Sequence, residues 1–367
     1  MSEAAVLEAP LRITTNRRGA KARRVLFGFA LLLIVALFLA VGIGAVNISP
    51  REAIAIFAKQ VGLTGWTSFE PRQEGVLLSI RLPRALLAMV VGAGLATAGA
   101  AMQGLFRNPL ADPGLVGVSS GAALAATTII VVGSSFTALL PPHVRVFVLP
   151  LAAFLGSLVT TLTVWRLATR AGRTVVATML LAGIALNALT GAGTGLLTLA
   201  ATDPQLRSLT FWTLGSLNGA TWSSLAVVAP LVALAVVGLP RLSRSLNALL
   251  LGEADARHLG VEVERVKRIV VVLTALAVGA TVAACGMIGF VGLVAPHVIR
   301  LLLGADHRHL LPGSALLGAV LLTLADLLAR TVVAPAEIPI GIVTALVGAP
   351  FFLWLLLRQS HHGGLAR

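Results

Sequence analysis

A chain of 367 residues with 57% apolar and only 11% charged residues departs from a soluble domain, where about a quarter carry charge. The net charge is +14, but the Lys and Arg residues lie between apolar runs and form no face interleaved with aromatics, which argues against nucleic-acid binding. A single cysteine, Cys285, excludes an intramolecular disulfide and a cysteine-based metal site.

A charged side chain at the bilayer centre costs about 2.5–3.5 kcal/mol on insertion scales, so charge-free runs mark membrane spans. Residues 1–24 form a basic leader with Arg17, Arg18, Lys21, Arg23 and Arg24, expected on the cytoplasmic side. The apolar run behind it, 25–50, is too long for a signal-peptide core and reads as a retained first span. Runs 85–106, 146–165 and 338–357 can each cross a hydrocarbon core of about 30 Å. Between them, 113–144 holds one span and a polar turn, 174–202 a fifth span and 225–239 a sixth. Residues 269–299 contain no charge and are interrupted by Gly286, Gly289 and Pro296, which fits one tilted helix or two short ones. A further span, 309–329, carries one charge, Asp326. Splitting the 269–299 run gives ten spans, with 20 of the 28 basic residues inside; leaving it whole gives nine, with 17 inside. The excess of cytoplasmic Lys and Arg in membrane proteins favours ten. The expectation is therefore an all-α polytopic protein with about ten transmembrane helices, some short or broken. Residues 25–358 make a single permease-like domain with a polar insert at 241–268, and 359–367 a cytoplasmic tail.

Within the insert, 245–260 can form one amphipathic helix with Leu246, Leu249, Leu250 and Leu259 on its apolar side. Periodicity leaves two roles open, lying on lipid or docking into a partner's groove. No catalytic constellation is visible, and no Gly-Lys-Ser/Thr phosphate loop, so the chain does not use ATP by that route. His, Asp and Glu do not cluster at metal-ligand spacing within a span. His307 and His309 read as solvated turn residues, and His143 as a lone outer-loop histidine.

Three arginines stand at the outer membrane face against the positive-inside trend: Arg81 and Arg84 at the start of the second span, and Arg330 at the end of the ninth. They are either interfacial snorkels or cationic anchors for carboxylates of an external partner. On the fifth span Asn187, Gly191, Thr194 and Thr198 share one helical face, too polar for lipid. Helix packing accounts for its glycines as well as a pathway does, while Asn187 favours a pathway. The segment 107–121, with Pro109, Pro113 and several glycines directly after a span, must be buried in protein or line a cavity.

At this segment a resemblance enters. Arg81-Leu-Pro-Arg84 and the stretch from Gly99 through Asn108-Pro-Leu-Ala-Asp-Pro-Gly114 resemble the permease family of iron-chelate, haem and cobalamin ABC importers. So do Leu251-Gly-Glu-Ala-Asp-Ala-Arg-His-Leu-Gly260, Gly289-Phe-Val-Gly-Leu-Val-Ala-Pro-His297 and the stretch from Ala336 to Pro350. The match runs from the first span to about Arg358, and only the basic leader is longer than the family suggests.

The resemblance implies a homodimer in the bacterial inner membrane with both termini cytoplasmic. Two ATPase subunits would carry ATP and Mg, with no cofactor in this chain, and a periplasmic binding protein would deliver the ligand. It assigns Leu251, Gly252, Glu253, Ala254, Arg257, Leu259 and Gly260 to ATPase contact. It makes Arg81, Arg84 and Arg330 docking arginines, with glutamates on the binding protein as their partners. Asn108 and Leu110 match one cytoplasmic gate position, and Val176 and Ala177 a second, where this chain departs from the family's hydroxyl residues. The Asn187, Gly191, Thr194 and Thr198 face falls on the translocation pathway. The stretches 183–195 and 205–217 are most similar to the haem branch. A secondary transporter would need acidic residues inside the membrane, and only Asp326 qualifies.

Overall fold

The computed structural model describes residues 4–44, 46–63, 68–133, 136–137 and 139–363, with side chains from 19 to 357 apart from 142, 143 and 356. The side chain of His143, the first residues of the expected leader and the end of the expected tail lie outside the described residues.

Helix α1 spans Ala4–Gly42 and stops short of the end of its charge-free run, so the first span is shorter than 25–50 suggests. Amphipathic α2, Pro50–Gln60, follows; Ser49 and Glu52 close a capping box at its start. Helix α3, Pro71–Phe106, is much longer than its charge-free part. It widens to a π turn at Leu77–Arg81, directly before Pro83. Proline has no N–H to offer the preceding turn and its ring crowds it, so the helix continues past Pro83 only by loosening its register.

The segment after α3 turns at Asn108–Ala111, runs through a 3₁₀ turn at Pro113–Val116 and enters α4, Val118–Val131. Helix α5, Pro142–Ala168, leads into a two-residue β-hairpin, β1 Thr169–Arg170 and β2 Arg173–Thr174. Then come α6 at Val176–Leu199, α7 at Asp203–Leu214 and α8 at Trp222–Arg241. The insert forms α9, Ser243–Leu251, and α10, Glu253–His258. Helices α11, Val263–Cys285, and α12, Val291–Leu303, divide the long charge-free run at 286–290. Helix α13 spans His307–Thr331 and α14 Ile340–Gly363.

Among the described residues seven helices are long and apolar enough to cross a membrane, and α4, α12 and the apolar part of α14 are shorter apolar helices. With 269–299 split in two, the long and shorter apolar helices among the described residues number ten. The cause of the split is local. Gly286 takes φ +71, which glycine adopts without strain, and the Cys285 carbonyl released by the break accepts from Ser216 N–H at 2.7 Å. A charge count cannot see α2 and α7, because neither is a span.

Helix α3 sits at the centre, packed against α8, α11, α12 and α13, and nearly all of it past Ala85 is buried. Its crossing with α13 is backbone on backbone: a Cβ on Gly92 would come within 2.2 Å of the Gly318 carbonyl oxygen. Small residues at such a crossing let membrane helices pack where no hydrophobic effect drives them together. Helices α4, α5 and α6 form a second group, joined to the first where α5 packs on α11. Helix α1 lies on the outside against α13.

Candidate functional site: a charge cluster, the segment after α3 and a polar insert

Near the start of α3 and the end of α13, Arg81, Arg84 and Arg330 converge, brought together by helices that cross at Gly92 and Gly318. Arg81 is only 5% exposed, and its guanidinium donates to the carbonyls of Val41, Gly42 and Val46. Arg330 donates to the Ile43 carbonyl at 2.7 Å and to that of Ala40. Together they cap the C-terminal carbonyls of α1, where the helix leaves acceptors without partners and favours positive charge.

Arg84 turns the other way. Its Nε donates to Asp326 Oδ1 at 3.0 Å, Nη1 to Asn218 Oδ1 at 2.9 Å, and Nη1 and Nη2 reach the two Glu337 oxygens at 3.1 and 3.0 Å. Asp326 is 2% exposed and also pairs with Arg330 at 3.5 Å. The arginines are thus neither simple snorkels nor free anchors in this conformation; each is engaged within the chain. The Glu337 side remains partly open to solvent.

At the other end of α3, Asn108 Oδ1 accepts from Leu110 N–H at 2.9 Å, which fixes the turn that presents the exposed Leu110. Arg107 before it sits in the left-handed region and ends α3. Val176 and Ala177 open α6 directly after the hairpin, half-buried and exposed respectively. The polar stripe on α6 divides. Asn187 faces the neighbouring segment, donating to the Gly114 carbonyl at 3.1 Å and accepting from the Ser120 hydroxyl at 2.5 Å. Thr194 and Thr198 donate to carbonyls one turn back on their own helix, at 2.8 and 2.7 Å. Gly191 is open, with no atom within 4 Å of where a Cβ would stand. The segment after α3 borders a partly open pocket of about 250 Å³, lined in part by Asp112, Ser119, Leu95 and Met287. Asp112 had no sequence signal beyond its place in Asp-Pro-Gly, yet its Oδ1 accepts from Gly114 N–H at 2.7 Å and closes the turn.

The insert corrects the expectation of one amphipathic helix. Gly252 adopts φ +128 and ψ 156 and breaks it into α9 and α10. Leu246 and Leu249 are buried as expected, but Leu250 is exposed and Leu259 is 64% exposed. The second helix is turned, so its residues leave the apolar face of the first. Leu251 and Leu259 project outward, Glu253 pairs with Arg257, and Ala254 is exposed beside buried Ala256. Gly260, at φ +79, ends the insert.

His307 is a second correction. It is 1% exposed, not a solvated turn residue, and its Nδ1 lies 2.8 Å from Asn247 Oδ1 on α9. The cause is the cap of α13. Asp306 accepts from Arg308 N–H at 2.9 Å and from the Asn247 amide at 2.6 Å, which draws α9 over the helix start. Burial alone would raise the Asp306 carboxyl, but these donors outweigh it and hold it below its ordinary value. No group of three or more His, Cys, Asp or Glu residues that could hold a metal ion occurs among the described residues.

The chain is 49% identical over 339 residues to the hemin transport system permease protein HmuU of Yersinia pestis, spanning 92% of this chain and 96% of that one. It is 41% identical to the vitamin B12 import system permease protein BtuC of Escherichia coli O157:H7, with the same coverage. Against the cobalamin import system permease protein BtuC of Halobacterium salinarum it is 46% identical over 76% of this chain and 72% of that one. A solved structure of a transporter assigned to the metal-chelate ABC type, in an inward-facing conformation, superposes with a TM-score of 0.79 at 35% identity. That superposition covers 92% of this chain and 99% of the other. A family match over residues 32–358 takes in the charge cluster, the segment after α3 and the insert alike, and the chain belongs to the FecCD transport family.

Proposed function

We propose that this chain is the membrane-spanning permease subunit of an ATP-driven importer that moves haem from periplasm to cytoplasm. It works as a homodimer in the bacterial inner membrane with both termini cytoplasmic. The observation that carries this reading is the 49% identity, over 92% of the chain, to a hemin permease. ATP and Mg belong to two separate ATPase subunits, because the chain has no Gly-Lys-Ser/Thr loop to cradle phosphates. The chain itself is a transport subunit and not an enzyme.

In this reading the ATPases contact α9 and α10, where Leu251 and Leu259 project from the insert. Their movement opens and closes a path between the two copies. Helix α6 suits that interface, since Leu181, Leu189 and Leu196 are exposed and Gly191 leaves the backbone open. Asn108 and Leu110 with Val176 and Ala177 narrow the cytoplasmic end. Haem passes with brief, weak contacts, as tight binding on a path would slow release. A periplasmic binding protein docks on the outer cluster, where Arg84 exchanges Glu337 for a carboxylate of that partner. Arg81 and Arg330 hold the α1 end beneath it.

A second reading, cobalamin import, is favoured by the 46% and 41% identities to cobalamin permeases. Proteoliposomes holding the full complex decide between them. Haemin uptake that requires ATP is the expected result, and uptake of cobalamin in its place overturns the haem assignment.

A further inference from the structure

The insert and the second gate position are distant in sequence, yet they meet at one buried ammonium. Lys267, near the start of α11, is 2% exposed. Its Nζ donates to Glu253 Oε2 at 2.8 Å, to Glu264 Oε1 at 3.2 Å and to the Thr174 carbonyl at 2.6 Å. Glu253 is the first residue of α10, directly after the Gly252 break. Thr174 ends the hairpin, two residues before α6 begins at Val176.

Thr174 is gripped on every polar atom. Its N–H donates to Glu264 Oε2 at 2.8 Å, its carbonyl takes Lys267, and its hydroxyl accepts from Trp165 Nε1 at 3.1 Å. Arg257, also in the insert, approaches both Glu253 and Glu264 at 3.5 and 3.6 Å. A lysine ammonium has three donors, and all three are used here, by α10, by β2 and by Glu264 on its own helix. A shift of α10 that carried Glu253 away would cost this buried ammonium one of its two carboxylates, leaving it only Glu264 and the Thr174 carbonyl. The lower-energy response is for Lys267, and with it Thr174, to follow.

We propose that Lys267 is a positioning residue that carries displacement of the insert to the gate end of α6. This rests on the assignment of the insert to ATPase contact and adds the link by which that contact reaches Val176 and Ala177. A static brace is the competing role, and the two differ in what they do to coupling. A brace, once lost, weakens assembly, ATP hydrolysis and transport together. A lost link leaves hydrolysis running while transport falls.

The test uses the full complex in proteoliposomes with its binding protein, reading haemin taken up per ATP hydrolysed. Lys267→Met keeps the length and removes the charge. Hydrolysis close to the parent with a ratio lowered about tenfold is the expected result, and Lys267→Arg should restore most of it. A ratio equal to the parent's, with uptake and hydrolysis falling in step, overturns the link. Should Lys267→Met fail to assemble, Glu264→Ala removes the acceptor of Thr174 N–H while leaving Lys267 on Glu253. A ratio lowered about threefold is then expected, and an unchanged ratio overturns the proposal. The parent complex separates the two readings: if it moves cyanocobalamin in place of haemin, only the substrate assignment falls and the ratio is read with cobalamin. A parent that moves neither removes the importer reading and this link with it.

Discussion

Asp326 sits 2% exposed between Arg84 and Arg330, and Glu337 meets the same Arg84 from the solvent side. The two acids share a partner but not an environment, so their loss has different consequences. Removing one member of a buried pair leaves the other charge desolvated without compensation, a cost of about 3–5 kcal/mol. A pair open to water contributes about 0–1 kcal/mol. Asp326→Asn is therefore expected to lower stability by about 3 kcal/mol and Glu337→Gln by less than about 1 kcal/mol, read from thermal unfolding of the detergent-solubilised protein. Equal losses would show that burial does not set the hierarchy. The sequence made the three arginines conspicuous because they oppose the positive-inside trend, but it could not pair them. Arg84 and Asp326 are 242 positions apart, and Arg81 and Arg330 cap a helix end whose position no charge count marks.

Among the elements, α9 and α10 show most clearly how one backbone position overrides a hydrophobic pattern. The leucine spacing over 245–260 is compatible with one continuous helix, and Gly252 at φ +128 and ψ 156 divides it. That region of backbone space is essentially reserved for glycine, and other residues held there cost about 1–3 kcal/mol. No atom lies closer than 3.6 Å to where a Cβ on Gly252 would stand, so Gly252→Ala meets strain and not a clash. The variant is expected to loosen the insert locally, with faster hydrogen exchange over Glu253–His258 and unchanged exchange in α3. Unchanged exchange in α10 would mean the break does not depend on glycine. The same logic explains the split at Gly286: the sequence offered the glycine, and the donor that meets the freed Cys285 carbonyl, Ser216 N–H, lies on a different segment.

At the scale of the whole molecule, α3 is enclosed by α8, α11, α12 and α13, while α5 and α6 leave much of their apolar surface open. The orientation proposed for this bundle puts α2 outside and the insert inside. Cys285 is free and buried, so Cys285→Ala gives a background for single-cysteine labelling. Exposed Val61, beside α2, and Leu259, at the end of the insert, are suitable reporters. A membrane-impermeant maleimide is expected to label Val61→Cys in intact cells, and Leu259→Cys only once the membrane is opened. Labelling of Leu259→Cys from outside would reverse the orientation and detach the insert from any cytoplasmic ATPase.

The sequence by itself determined that this chain is a helical membrane protein, roughly where its spans lie, and, through long ungapped motifs, its family. These are local properties: a charge-free run excludes the bilayer cost of a charge wherever it folds, and a motif reads the same in any context. Tertiary structure alone decided that 269–299 is two helices, that His307 is buried, and that Lys267 joins the insert to the hairpin before α6. Each of those depends on a hydrogen-bonding partner supplied from a distant part of the chain. A buried polar group is stable only when its partner arrives, and the arrival is a property of packing that no single stretch of sequence contains.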